Sequence, residues 1–189
     1  MTIAEIFKKI STHQIEGLML HDQLADYFDF LNLHGYKRMH EYHYLSESIS
    51  MRTTHRYYIN HYNMLIEEDD VSSPSVLPST WKLRTRYDVD IGTRKKSVLN
   101  AFEKWKTWEC DTKELYEKLY SEACELCEIA AALKIKELIA DVDQELKYAE
   151  RMFIELKSVD FDMTYILEKQ DELHEKYKNM SKKIGAYIC

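Results

Sequence analysis

Turn-forming residues are scarce in this chain, which has four glycines and two prolines in 189 residues. So few breakers argue against a turn-rich β architecture, and the abundance of Leu, Glu, Lys and Ala favours helices. Long apolar runs are missing too. No stretch has the length of a membrane-spanning helix, and the opening MTIAEIFKKISTH lacks the uninterrupted apolar core of a signal peptide. A cytoplasmic protein with no membrane partner is expected. Positive charge is in short supply, with 26 basic against 33 acidic side chains and a formal charge of −7. No general phosphate-binding surface and no nucleic-acid partner are therefore expected. Cys110, Cys124, Cys127 and Cys189 show no disulfide-framework spacing, which predicts reduced thiols. Cys124 and Cys127 form a CxxC inside SEACELCEIAAAL, with no second pair and no nearby histidine, and they read as small buried residues rather than a zinc or redox motif.

What the chain does have is helical periodicity. Thr2 followed by Glu5 has the form of a capping box, and Ile3, Ile6, Phe7, Ile10, Leu20, Leu24, Tyr27 and Leu31 recur at helical spacing. A first helix to about residue 33 is predicted. The LHGYK segment around Gly35 predicts a short connection to an antiparallel second helix over about residues 37–66. Pro74 and Pro78 both fall between about residues 67 and 93, where periodicity vanishes. A connection of that length suits a crossover that spans a bundle end to end and joins two parallel helices. From Thr93 to Ile184 there is neither Gly nor Pro, yet one helix over that stretch would be too long for a globular domain. Turns near residues 121–128 and at SVDFD predict helices over about 95–121, 129–157 and 162–183, with Gly185 as a stop before the tail AYIC. The expected architecture is all-α. It is an antiparallel four-helix bundle with a long crossover between its second and third helices and a short C-terminal fifth helix, in a single domain over residues 1–189.

Charged and polar residues interrupt the apolar stripes. Val98, Phe102, Trp105, Glu109, Thr112, Tyr116 and Leu119 alternate steps of four and three along the third predicted helix, and Ile135, Leu138, Val142, Glu145, Ala149, Met152 and Leu156 do so along the fourth. Each stripe carries a glutamate at its centre. On the second helix the same test aligns Tyr44, Met51, His55, Tyr58, Tyr62 and Leu65, which puts His55 inward. On the first, Glu16 stands beside Gly17, Leu20, Leu24 and Tyr27. Several ionised carboxylates in one low-dielectric core repel one another unless neutralised, paired or bound to a cation. Two readings follow: an iron centre with carboxylate and imidazole ligands projecting inward, or a set of interhelical salt bridges and partly exposed glutamates.

LNAFEKWKTWE (residues 99–109) resembles the opening of the third helix of ferritins, whose inward glutamate falls on Glu109. DQELKYAERM (residues 143–152) resembles the fourth, where the glutamine or glutamate of the dinuclear site falls on Glu145. Two helices, a long crossover and two more helices match ferritin connectivity over about residues 5–157. On this resemblance to the ferritin-like superfamily, the first-helix glutamate is Glu16 and the second-helix histidine is His55. The resemblance implies iron bound among Glu16, His55, Glu109 and Glu145, ferroxidase-type oxidation or storage of that iron, and a homo-oligomer. One position departs. Ferritins place a bridging glutamate three residues before that histidine, as Glu-x-x-His, and RTTH has Arg52 there. Arginine cannot ligate a cation, although it can pair with Glu16, Glu109 or Glu145. That departure implies a centre that is altered, mononuclear or absent. The competing reading is a non-catalytic bundle, a structural or protein-interaction subunit whose core acids Arg52 neutralises.

Half of the eight histidines lie in HEYHYLSESISMRTTHRYYINHYN, residues 40–63. His43 and Glu47, one turn apart, can face one ligand but read as a solvated pair. His40 and His61 fall off the inward stripe and read as surface residues. Asp171 and His174 form an Asp-x-x-His on the fifth helix, outside the four-helix centre. Tyr57, Tyr58 and Tyr62 read as core or interface material.

Overall fold

A computed structural model of the chain describes residues 1–66 and 89–188. Its helices are α1 (Ile3–Phe30), α2 (His34–Tyr62), α3 (Ile91–Glu125), α4 (Ile129–Ser158) and α5 (Met163–Ile188). Local chemistry sets their starts. The Thr2–Glu5 capping box is formed, with the Thr2 amide donating to Glu5 Oε2 at 2.6 Å. Asp90 caps α3 by accepting from the Thr93 amide at 2.8 Å, and Asp162 accepts from the Thr164 amide at 2.9 Å at the head of α5.

The turns explain how so glycine-poor a chain reverses. Asn32 (φ 57°), Cys127 (φ 59°), Asp160 (φ 51°) and Phe161 (φ 53°) adopt the left-handed conformation that glycine usually supplies. Gly35, expected in the first connection, lies inside α2 instead. Cys127 sits at the α3–α4 turn, so the expected burial of the CxxC is not found: Cys124 and Cys127 are exposed, as is Cys110. Helix α5 continues through Gly185, the expected stop, to Ile188, and with 26 residues it is the shortest of the described helices. Most of the predicted crossover, with Pro74 and Pro78, lies outside the described residues, as does Cys189.

Helices α1 and α2 form one antiparallel pair and α3 and α4 another, with α1 packed on α3 and α5 laid against α2. Tyr62 Oη, at the end of α2, donates to Glu128 just beyond α3 at 3.2 Å. Val89, just before α3, belongs to the same core cluster as Leu31 and Leu33 of the α1–α2 turn. Thus α2 and α3 run parallel, as a bundle-spanning crossover demands. The core divides in two. One cluster holds Leu20, Leu24, Phe28, Tyr36, Phe102, Trp105 and Met152, and the other Phe7, Ile10, Tyr58, Tyr116, Leu119, Ile135 and Leu138. Between them runs a layer of polar side chains. Among the described residues, no helix is long and apolar enough to cross a membrane.

The stripes expected on α3 and α4 are buried throughout except at Glu145, but α2 is rotated from expectation. Its buried positions include Tyr36, Met39, His40, His43, Thr54 and Tyr58, whereas Tyr44 and Leu65 are 39% and 75% exposed. The inward face of α2 is polar at its middle, so a search for apolar residues selects the wrong face.

Candidate metal centre

In the polar layer, each of the four bundle helices contributes to one cluster: His21 from α1, His40 and His43 from α2, Glu109 from α3 and Glu145 from α4. His21, His40, His43 and Glu109 are buried, each no more than 5% exposed, and Glu145 is half-buried. Ligand atoms of His21, His43 and Glu145 all lie within 4.8 Å of one another. His21 Nε2 is 3.8 Å from Glu109 Oε1, and His43 Nδ1 is 3.6 Å from Glu145 Oε1. Trp105 Nε1–H donates to Glu109 Oε1 at 2.9 Å and fixes that carboxyl. Nδ1 of His21 and Nδ1 of His40 share one hydrogen bond of 3.0 Å. The Trp105 and Tyr148 rings pack around His43 at 5.1 and 6.2 Å, and Tyr177 brings α5 to 6.2 Å from it.

Solved structures with the same helical fold exist. An engineered closed form of the ferritin of Archaeoglobus fulgidus matches with a TM-score of 0.75 at 18% identity, over 92% of this chain and 96% of its own. The open-pore ferritin of that archaeon matches with a TM-score of 0.75 at 18% identity, over 90% and 93%. A humanized archaeal ferritin gives 0.75 at 17% identity, over 90% and 94%. The fold is ferritin-like. No protein-family model matches the chain, and no curated protein sequence does.

Di-iron members of the ferritin-like fold build their centres from inward glutamates and Glu-x-x-His pairs on facing helices. In this ferritin-like bundle the pair at that spacing on α2 is His40-x-x-His43, and the inward residue on α1 is His21. Glu109 and Glu145 are brought together here; Glu16 and His55 are not part of this group. His55 lies about 18 Å along α2 from His43 and its Nε2 is hydrogen-bonded to Ser11 at 2.7 Å. Glu16 is on another face of α1, with its carboxylate 3.7 Å from His13 Nδ1. Arg52 follows His43 by nine residues, about half a helical rotation away. It is exposed, with no ion-pair partner among the described residues. It therefore does not neutralise the core acids, and His40, not Arg52, precedes the inward histidine. His40 and His43 are buried, contrary to the surface reading given them, and His61 is exposed. His174 accepts from Arg38 Nε at 3.1 Å, which ties α5 to α2. His21 could have been found from sequence: Gln14, His21 and Phe28 repeat every seven residues, and all are buried.

The site fits a cation on its own evidence. His21 Nε2, both ring nitrogens of His43 and Glu145 Oε2 are buried with no hydrogen-bond partner among the described residues. Leaving such atoms unpaired costs about 1–3 kcal/mol each, and a divalent ion would satisfy His21 Nε2, one ring nitrogen of His43 and Glu145 Oε2 together. Burial, with smaller contributions from neighbouring histidines, holds the His21 and His40 imidazoles well below their ordinary 6.5, so both are neutral, the ligating form. Burial also raises the Glu109 carboxyl, helped by Glu145 and Glu47. The same cause, with Glu145 and Asp141 beside it, pushes Glu47 up to about 8. A cavity of about 370 Å³ between α2 and α4, lined by Glu47, Asp141, Glu145, Tyr42, Ser50 and Tyr116, connects Glu145 with solvent. Its acids favour cations.

A partly buried histidine outside this cluster predicts acid sensitivity. His13 stacks on Trp108 with ring centroids 4.3 Å apart and bonds Thr112 Oγ at 2.7 Å. Thr112 donates its own proton to the Trp108 carbonyl, so His13 donates from Nε2. Burial depresses its imidazole to about 4 from 6.5. The unfolded chain takes up this proton near pH 6.5 and the folded one only near 4, so stability is full above pH 6.5 and falls as pH drops to 4. That interval corresponds to roughly 3 kcal/mol. Urea melts between pH 7.5 and 4 should show the decline, and His13→Gln should reduce its slope; an unchanged slope would refute the assignment to His13.

Proposed function

We propose that this protein binds iron at the centre formed by His21, His43, Glu109 and Glu145, with Fe(II) approaching along the acid-lined cavity. The observation that carries this reading is the convergence of unpartnered buried donor atoms of His21, His43 and Glu145 on one point of the bundle, with Glu109 Oε1 3.8 Å from His21 Nε2. Oxidation of that iron by oxygen, its storage and assembly into a homo-oligomer are the further activities that the ferritin likeness suggests. Neutral imidazoles ligate Fe(II) without losing a proton, and two carboxylates match the charge of one divalent ion.

The test is anaerobic addition of Fe(II) followed by air, with bound iron and ferric absorbance as readouts. Saturable binding is expected. His43→Ala should weaken it by roughly 100-fold or more while the helical circular dichroism is retained. Absence of saturable metal binding by the unmodified protein would end this reading.

A purely structural bundle is favoured by one observation. Burial raises the Glu109 carboxyl well above its ordinary value and pushes Glu47 up to about 8, which favours their neutral acid forms and lets the core hold them without a cation. This alternative rests on protonation and no longer on Arg52. Unchanged thermal stability on adding metal would support it.

A further inference from the structure

We propose that the centre holds a single divalent transition-metal ion, bound by His21 Nε2, one ring nitrogen of His43, Glu109 and Glu145, with His40 as a positioning residue and not a ligand. The inference rests on the metal-binding reading above and goes further by fixing the number of ions, the ligand set and the part played by His40.

The first argument is hydrogen bonding. His21 can offer the Nε2 lone pair only when its proton sits on Nδ1. That N–H then donates to His40 Nδ1, 3.0 Å away, and His40 carries its own proton on Nε2. A ligating histidine held by an acceptor on its other nitrogen is the usual supporting arrangement around a metal. Consistent with this role, among the described residues no ring nitrogen of His40 is buried without a partner, whereas His21 Nε2 and both nitrogens of His43 are. The Phe28 ring stacks on His40 at 5.3 Å and an interplanar angle of 6°, which holds the imidazole in that orientation.

The second argument is charge. Two carboxylates cancel one divalent ion. Within this ligand set a second divalent ion would leave two positive charges, and two trivalent ions four, which only Glu47 and Asp141, in the adjoining cavity rather than among the converging ligand atoms, could offset. Holding two ions closely also calls for a carboxylate that bridges them. The α2 position one turn before the ligating histidine is the place for it in carboxylate-bridged bundles, and here it is His40. A neutral imidazole has one lone pair and cannot bridge. The resulting set of two nitrogens and two oxygens suits zinc(II) or iron(II) better than manganese(II), magnesium or calcium.

The test is metal stoichiometry on the full chain. Apo protein is titrated separately with Zn²⁺, with Mn²⁺ and, anaerobically, with Fe²⁺, and bound metal is counted after gel filtration. One ion per chain is expected for zinc and iron, with manganese held roughly tenfold or more weakly. His40→Gln should lower zinc affinity by about 10–100-fold while the count stays at one. His40→Glu, which restores a carboxylate at that position, should raise the iron count from one to two. Two ions per unmodified chain would overturn the proposal and leave the metal-binding reading standing; no ion at all would overturn both. Unaltered affinity in a folded His40→Gln variant would refute the positioning role, and the unmodified count decides the ion number even if His40→Glu fails to fold.

Discussion

Gly35→Ala is expected to lower the melting temperature by roughly 10 °C and to release α5 from the bundle. A Cβ at residue 35 would lie 1.9 Å from the carbonyl oxygen of Gln170 and 2.6 Å from its carbonyl carbon. Both are backbone atoms of α5, so no side-chain rotation relieves the clash and the helix itself must move. The contacts at risk are specific. Tyr36 Oη donates to the Ile166 carbonyl at 3.4 Å, Arg38 reaches His174, and Tyr42 meets Tyr177 at 5.2 Å between ring centroids. Ile166, Leu173 and Tyr177 are buried beneath this docking. An overpacked interface of this kind costs about 3 kcal/mol, and each kcal/mol moves the melting temperature of a chain of this size by about 2–4 °C. Limited proteolysis should cut first within residues 163–188. Gly17→Ala is the control, because its Cβ would meet only the Trp108 ring at an ordinary 3.6 Å. There the gain in helix propensity, about 0.5–1 kcal/mol, should stabilise the protein. Equal effects of the two substitutions would refute the close-approach explanation.

Glu109→Gln is expected to separate stability from metal binding. The glutamine amide copies the neutral acid in shape, and its oxygen still accepts from Trp105. At pH 7 the metal-free variant should be more stable than the unmodified chain by about 1–3 kcal/mol, since an acid that ionises when unfolded is no longer being buried. Its affinity for zinc or iron should fall by roughly 100-fold or more, since an anionic donor has been lost from a site with only two. Thermal melts with and without Zn²⁺ test both halves in one experiment. A variant that keeps the metal-induced rise in melting temperature would remove Glu109 from the ligand set. The stability difference should reverse once metal is present, because bound ion stabilises only the chain that retains it.

How much was legible in the sequence differs between helices for a physical reason. On α3 and α4 the inward face is apolar except at one position, so periodicity located Glu109 and Glu145 within buried stripes. On α2 the inward face carries His40, His43, Glu47 and Thr54, and the tyrosines are spread around the helix. Hydrophobicity therefore carried no phase information there, and His55 was placed inward, with Arg52 assigned beside it by the resemblance, at the expense of His40 and His43. On α1 the inward polar residue is a histidine, and attention to carboxylates passed over His21 in favour of Glu16, which lies off the buried face.

The sequence by itself determined that the chain is helical, the number of helices among the described residues, roughly where each begins and ends, and the parallel course of α2 and α3. These follow from local capping, from the scarcity of breakers and from a repeat that one chain segment states without reference to another. Only the tertiary structure decided which residues meet. The 3.8 Å approach of His21 to Glu109 and the 3.0 Å bond between His21 and His40 depend on the axial rotation of helices that share no local signal. The same holds for Gly35, whose small size reads as a turn in the sequence and is a helix crossing in the fold.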